Sequence, residues 1–181
     1  MEKYGIIYVD AKKSMLSRND GGWKWLMLAL DGIVGVQRPS ICEHMIDVYV
    51  DGLVEPVNPG GIGAIGVIVY RQAKIIFRRG KVVGKGPEMS NNRAEYEALV
   101  EALQWLLDNG FQKERILVHS DSSMLVNQMQ GKWKVRKGLY VVAYKKAETR
   151  AEQFTSLSFQ WIPREENEEA DLLSREAHMS T

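Results

Sequence analysis

A change of period near residue 90 constrains this chain more than any other feature. Before it, three extended runs follow one another closely; after it, apolar residues recur at helical spacing. Ile46 to Asp51 alternates, with Ile46, Val48 and Val50 on one face and Asp47, Tyr49 and Asp51 on the other. A Gly- and Pro-containing loop, Gly52 to Gly61, leads to a β-branched run from Ala64 to Tyr70. After Arg71-Gln72-Ala73 a third run spans Lys74 to Val83. Three strands so closely spaced predict an antiparallel meander, because parallel pairing needs a long crossover.

Asn92 to Asn109 then reads as a helix opened by Ser/Asn caps and stopped by Gly110. Ile116 to His119 is a short buried strand and Ser122 to Gln130 a short helix ending at Gly131. Leu139 to Phe154 is a helix with Tyr140, Ala143, Ala147 and Phe154 on one stripe. Leu157 to Ile162 is a last strand, and a final helix runs from Asn167 to Ala177. The order β-β-β-α-β-α-α-β-α predicts an α/β domain with a five-stranded mixed sheet, three antiparallel strands and then parallel additions, flanked by helices.

A length of 181 residues suits one domain with an appendage. The boundary falls near Arg38-Pro39-Ser40, giving an N-terminal extension over 1–45 of open role and a patterned domain over 46–181. The lone cysteine, Cys42, excludes an intramolecular disulfide and leads us to expect a cytoplasmic protein. The most apolar stretch, Trp25 to Val36, is interrupted by Asp31 and falls short of a membrane span. Net charge is +1, yet residues 46–163 hold 16 basic and 12 acidic side chains while residues 164–181 hold 2 and 6. The middle is basic and the tail acidic.

Four acids stand where acids are not expected. In the helix after Asn91, Glu95 shares a stripe with Leu99, Ala102 and Leu106, the face that packs on the sheet, whereas Glu97 joins Glu101 and Asp108 on a face expected to be solvated. A charge on the packed face must be paired or bind a metal; capping or pairing with Arg93 is the alternative for Glu95. Asp121 follows the apolar strand Ile116-Leu117-Val118, Asp51 closes the first strand before Gly52, and Asp171 lies one turn into the last helix. Taken singly, each reads as a cap, a turn former or a surface acid. Together they place a carboxylate from four elements at the sheet edge, and clustered carboxylates need cations. Oxygen ligands with few His and no Cys pairs point to Mg²⁺ or Mn²⁺, and a pair of such ions serves phosphodiester hydrolysis.

The residues 46–177 resemble type 1 ribonuclease H. The matching pieces are Tyr-Val-Asp-Gly at 49–52, Asn58-Pro59-Gly60-Gly61-Ile62-Gly63-Ala64, Asn91-Asn92-Arg93-Ala94-Glu95, Ser120-Asp121-Ser122, and Trp161-Ile162-Pro163-Arg164-Glu165-Glu166-Asn167 followed by Glu169-Ala170-Asp171. The phrasing is closest to the archaeal, handle-less branch and its bacterial relatives. The resemblance implies the ribonuclease H fold and cleavage of the RNA strand of RNA–DNA hybrids, leaving 3′-hydroxyl and 5′-phosphate ends. It further implies two Mg²⁺ or Mn²⁺ ions on Asp51, Glu95, Asp121 and Asp171, with Glu95 near the RNA 2′-hydroxyl. Asn58, Gly60, Gly61, Asn91 and Asn92 match positions that meet the hybrid across its minor groove, where the 2′-hydroxyl marks RNA. Action on double-stranded RNA stays open, and a monomer is expected.

The match has three departures. Pro163 to Glu169 lacks the His that family members often place before the last acid, with Arg164 or Glu166 as candidate substitutes. The basic handle shrinks to Lys132-Trp133-Lys134-Val135-Arg136-Lys137, where Lys132, Trp133 and Lys134 either grip phosphate and sugar or form a solvated loop over a buried Trp. Residues 1–45 match nothing in the family domain. Two other classes therefore stand beside the nuclease: a binding module of the same fold with weak catalysis, and a DNA resolvase or integrase core. Gly61-Ile62-Gly63-Ala64-Ile65-Gly66 fits a dinucleotide motif in letters but leads into a strand rather than a helix. Those glycines read instead as a close approach to nucleic acid or a plain loop, and His119 as a satisfied core histidine.

Overall fold

A computed structural model describes residues Met45–Thr181; the expectations for the N-terminal extension lie outside them. Ten elements follow in order, β1 Met45–Glu55, β2 Gly60–Arg71, β3 Lys74–Gly86, α1 Asn91–Asp108, β4 Arg115–Ser120, α2 Ser123–Met129, α3 Val141–Ala151, β5 Ser156–Trp161, a 3-10 turn Arg164–Glu166, and α4 Glu168–Met179. The sheet order is β3-β2-β1-β4-β5. β1 pairs antiparallel with β2 and β2 with β3, while β4 joins β1 and β5 joins β4 in parallel. The mixed five-stranded sheet and the helix order are those expected.

One face of the sheet, through Ile46, Val48, Val50, Ile65, Val67 and Val69, is covered by Leu99, Ala102, Leu103 and Leu106 of α1 and by Ala143 and Ala147 of α3. Each large side chain fully buried there contributes roughly 1.5–3 kcal/mol. Helix α1 forms because Ala, Leu and Glu dominate it. It starts where the Ser90 hydroxyl accepts from the Arg93 N–H at 3.3 Å, and ends before Gly110, which has φ +79°. Helix α4 lies on the other face, against β2, β3 and β1. Among the described residues no helix is long and apolar enough to cross a membrane.

Two expectations are corrected. The first strand does not close at Asp51, because Gly52, Leu53 and Val54 go on pairing with Ile65, Ala64 and Gly63; their Gly and Pro neighbours mimic a loop in sequence, but only residues 56–59 turn. Nor is Glu97 a freely solvated acid. It lies between the Arg93 guanidinium at 3.8 Å and the Lys146 ammonium at 3.9 Å, because α3 covers that flank of α1. Its neighbour Glu101 is likewise tied to β3 through Arg79 and Lys81.

Candidate active site

The site is built where β1 outruns β4. Their parallel ladder ends at Tyr49 and His119, and beyond it β1 continues alone on that side. The free backbone groups of β1 are met by asparagines from other elements. Asn167 Nδ2 donates to the Val50 carbonyl at 3.0 Å, and the Val54 N–H donates to Asn91 Oδ1 at 2.8 Å. The notch between β1 and the end of β4 is therefore rigid and polar.

Three acids meet there. Asp51 comes from β1, Glu95 from the first turns of α1, and Asp121 from the residue after β4; one carboxylate oxygen from each lies within 4.8 Å of the others. Gly52 makes the meeting possible, since a Cβ on it would stand 2.3 Å from Ala94 C and Glu95 N. Backbone thus touches backbone, and Glu95 arrives beside Asp51 because residue 52 has no side chain.

Two charges at 4.8 Å repel by roughly 3.5 kcal/mol at an effective dielectric of about 20. Asp51 is pushed up to about 6, first by burial and then by Asp121 and Asp171, against a hydrogen bond from Ser174 Oγ at 2.5 Å that lowers it. Glu95 is raised well above the ordinary range, first by burial and then by Asp51 and Asp121. As a residue Glu95 is only partly covered, yet its Oε2 is fully buried with no hydrogen-bond partner. The Arg164 charge offsets the rise of Asp51 and Glu95 only in part, and three converging carboxylates with an orphaned, buried Glu95 oxygen fit a hard cation.

Asp171 shares the cleft with these acids, but its carboxylate is engaged elsewhere. Arg164 Nη2 lies 2.6 Å from Oδ1 and Arg175 Nε 2.7 Å from Oδ2. Burial alone would raise Asp171; the hydrogen bonds from Arg175 and Arg164 hold it below the usual range. The structure thus brings three of the four expected acids together and clamps the fourth beside them.

Four supporting residues carry roles that the sequence reading does not assign. Arg175 stands four residues after Asp171, a helical spacing that could have announced the pair. Ser174 is a buried hydroxyl on a helix face otherwise made of Ala170 and Leu173. Asn167 also reaches Asp121 Oδ1 at 3.5 Å, and the exposed Trp161 donates its indole N–H to the Asp121 carbonyl at 3.0 Å. No local pattern signals the last two, because Asp121 lies 40 residues from Trp161 and 46 from Asn167.

The expected nucleic-acid contacts divide. Asn58 Oδ1 accepts from the Asn91 N–H at 3.0 Å, so the Asn58 side chain braces the start of α1. Asn92 is exposed at the start of α1. The N–H groups of Gly60 and Gly61 donate to the Met89 and Val57 carbonyls at 2.9 and 2.7 Å; Gly60 is partly exposed and Gly61 buried. Gly66, the last glycine of the dinucleotide-like run, faces α4, where a Cβ would lie 2.0 Å from the Ala170 carbonyl oxygen. The close approach expected there is internal.

Lys132, Trp133 and Lys134 all lie exposed, and Trp133 is 51% accessible, so the buried-Trp alternative fails. Their loop is anchored by a buried knot in which Tyr96 Oη donates to Gln128 Oε1 at 2.7 Å and Gln128 Nε2 reaches Tyr140 Oη at 3.1 Å. Tyr96 directly follows Glu95, so the basic loop is held in register with the acid cluster. His119 is buried as expected but only half satisfied: Nε2 meets Asp47 Oδ1 at 3.0 Å and Nδ1 has no partner.

The pH dependence follows from the raised acids. Without metal, a carboxyl with a raised native value binds its proton more tightly folded than unfolded, so stability falls as pH rises from the ordinary carboxylate range through about 6. A divalent cation that binds the ionised form would reverse this. The gain in Tm from Mg²⁺ over EDTA is therefore expected to be small at pH 4.5 and to grow steadily to pH 7. Thermal unfolding at several pH values checks it; a gain independent of pH would show that the ion does not bind these carboxylates.

A family model described as reverse transcriptase-like matches residues 50–177. A bifunctional protein of Mycobacterium tuberculosis is 31% identical over 120 residues, 66% of this chain and 31% of that protein. The chain thus spans about a third of the length of the mycobacterial relatives it matches. Ribonuclease HI of Halobacterium salinarum is 31% identical over 132 residues, covering 73% of this chain and 63% of the relative; its crystal structure superposes with a TM-score of 0.68 over 76% of this chain and 99% of that one. LC11-RNase H1, solved in complex with an RNA/DNA hybrid, is 32% identical with a TM-score of 0.67, over 75% of this chain and 97% of that one.

Proposed function

Because the chain belongs to the type 1 ribonuclease H family, within the reverse transcriptase-like group, we propose that it is a metal-dependent endoribonuclease that hydrolyses the RNA strand of RNA–DNA hybrids. The observation that carries the reading is the trio of Asp51, Glu95 and Asp121, with a buried Glu95 oxygen that has no protein partner.

Asp51, Glu95 and Asp121 would hold two Mg²⁺ or Mn²⁺ ions, with Asp171 joining once it exchanges its arginines for a cation. Bound there, the ions supply a low-pKa water and neutralise charge on the phosphoryl oxygens. The protein groups do the rest. Ser174 fixes the Asp51 carboxylate, while Asn167 and the Trp161 indole fix Asp121 from either side. Arg164, on the turn where family members often carry a His, keeps Asp171 ionised and at the cleft. The Nδ2 donors of Asn58 and Asn91, with Asn92, suit the 2′-hydroxyl edge of a hybrid minor groove. Lys132, Trp133 and Lys134 suit the neighbouring phosphates and a sugar or base face. Cleavage on the 3′-oxygen side of the phosphate leaves 3′-hydroxyl and 5′-phosphate ends.

The test is an end-labelled RNA–DNA hybrid incubated with the full chain and Mg²⁺, Mn²⁺ or EDTA. Cutting of the RNA strand with either metal and none with EDTA is expected. Folded protein that binds the hybrid but cuts with neither metal would overturn the assignment and leave a binding module.

A further inference from the structure

Among the described residues the acid cleft is lined by a fifth carboxylate, Glu55, and by two arginines, Arg164 and Arg175. Glu55 is the last residue of β1. By the two-residue period of a strand, Asp51 and Glu55 fall on one side of β1, and that side meets α4. Ser174 reaches Asp51 there, while Arg175 Nη1 lies 3.8 Å and His178 Nε2 3.9 Å from Glu55. On α4 itself, Asp171, Arg175 and His178 share a stripe, at i, i+4 and i+7. Among the described residues the acids that converge for a cation are Asp51, Glu95 and Asp121. Glu55 faces Arg175 instead, and Arg175 faces Asp171.

The two arginines hold Asp171 unequally. Its Oδ1 is shared, with Arg164 Nη2 at 2.6 Å and Arg175 Nη2 at 3.3 Å, whereas Oδ2 is held by Arg175 Nε at 2.7 Å. Arg164 reaches one oxygen from a 3-10 turn, and its side chain is 63% exposed. Arg175 grips both oxygens from the same helix and has Glu55 behind it. An incoming cation repels both guanidinium groups, so the one with a single hydrogen bond to Asp171 leaves first. Helix α4 cannot follow it, because α4 meets β2 and β3 backbone to backbone at Gly66 and Gly80.

We propose that Arg175 and Glu55 are positioning residues of the nuclease site: Arg175 Nε keeps Asp171 Oδ2 while the arginine contacts at Oδ1 give way to a cation, and Glu55 acts through Arg175 by holding its guanidinium in place. The inference rests on the nuclease reading and deepens it. It makes the two arginines opposites. Arg164 competes with the cation for Oδ1, whereas Arg175 presents Asp171 to it. Charge alone would make both of them competitors, since either guanidinium repels a cation.

Isothermal titration of Mn²⁺ into the full chain, without nucleic acid, separates these roles by sign. Arg164→Gln should tighten Mn²⁺ binding at least about three-fold and Arg175→Gln should weaken it by as much, although each removes one positive charge. Arg175→Lys, which keeps the charge but not the fork, should fall between Arg175→Gln and the wild type. Glu55→Gln should weaken binding on its own and add little on top of Arg175→Gln, the non-additivity of a residue that works through its neighbour. At saturating Mn²⁺ the KM of Arg175→Gln for the hybrid should stay within about two-fold of wild type, and in EDTA its Tm should stay within a few degrees. Where its Tm falls further, Arg175→Lys and Glu55→Gln carry the comparison. Unchanged or tighter Mn²⁺ binding by Arg175→Gln, or additive losses in the double variant, would overturn the proposal. A raised KM with unchanged Mn²⁺ affinity would overturn it too, by making Arg175 a contact to the hybrid phosphates. Failure of the nuclease reading shows in a different place, as wild-type protein that takes up no Mn²⁺ and cuts no hybrid, and it would remove the positioning role as well.

Discussion

Replacing Asp121 with Asn is expected to lower cleavage of the RNA strand by at least about 10³-fold and, in EDTA, to raise the melting temperature. Both effects have one cause. The amide keeps the shape of the carboxylate and can still accept from Asn167 Nδ2, now 3.5 Å away, so the notch at the end of β4 stays built. What disappears is one negative charge from a group of three. A cation shared by three carboxylates loses a formal ligand charge, and metal stabilisation of a phosphoryl transition state is worth several kcal/mol, with each tenfold in rate equal to about 1.4 kcal/mol. Asp51 and Glu95, both raised in part by Asp121, meanwhile lose a like-charged neighbour.

Relief of even about 1 kcal/mol of that repulsion would raise Tm by a few degrees. Single-turnover cleavage and thermal unfolding on the same preparation read out the two arms. A variant that keeps activity would remove Asp121 from the site. One that loses both activity and metal-free stability would recast Asp121 as a structural acid. A loss of activity with unchanged or higher Tm is what a residue devoted to binding cations must give.

Much of this was legible because period and spacing are local. The antiparallel meander, the long helix after Ser90 and the parallel return to β4 and β5 all follow from alternation and caps, and their bounds shift by only a few residues. The acids of the cleft were legible for a different reason: each sits on a segment whose pattern calls for something apolar or for a turn. Less legible was anything that depends on two distant segments meeting. Gly52 reads as a turn glycine, since Gly before a Pro-containing stretch usually is one; only the arrival of Ala94 and Glu95 against it reveals a mid-strand position. The clamp on Asp171 was half visible, through the helical spacing of Arg175, and half hidden, because Arg164 reaches it from a 3-10 turn. Trp161 and Asn167 act on Asp121 across sequence separations that no periodicity records.

Gly52→Ala is expected to be among the most damaging single methyl groups that can be added to the domain's working edge. The new Cβ would stand 2.3 Å from both Ala94 C and Glu95 N and 2.6 Å from Ala94 O. These are backbone atoms in the first turns of α1, so no side chain can swing aside. Relief has to come from moving β1 or α1. Neither moves cheaply, because Val50 and Val54 flank the position in a paired strand whose side chains are buried, and α1 is locked on the same sheet through Leu99, Ala102 and Leu106. Overpacking of a well-filled core costs about 1–3 kcal/mol and occasionally more. With rigid backbone on both sides the upper end applies, near 3 kcal/mol, or about ten degrees in Tm for a domain of this size. The functional loss should be disproportionate to that figure. Whatever separation the methyl forces is a separation of Glu95 from Asp51, so metal affinity and cleavage should fall together even at temperatures where the variant is fully folded. Metal titration followed by calorimetry, at a temperature well below the variant's Tm, distinguishes this from simple unfolding. Wild-type metal affinity in a folded Gly52→Ala protein would mean that Glu95 reaches the cluster by some route other than the contact across residue 52.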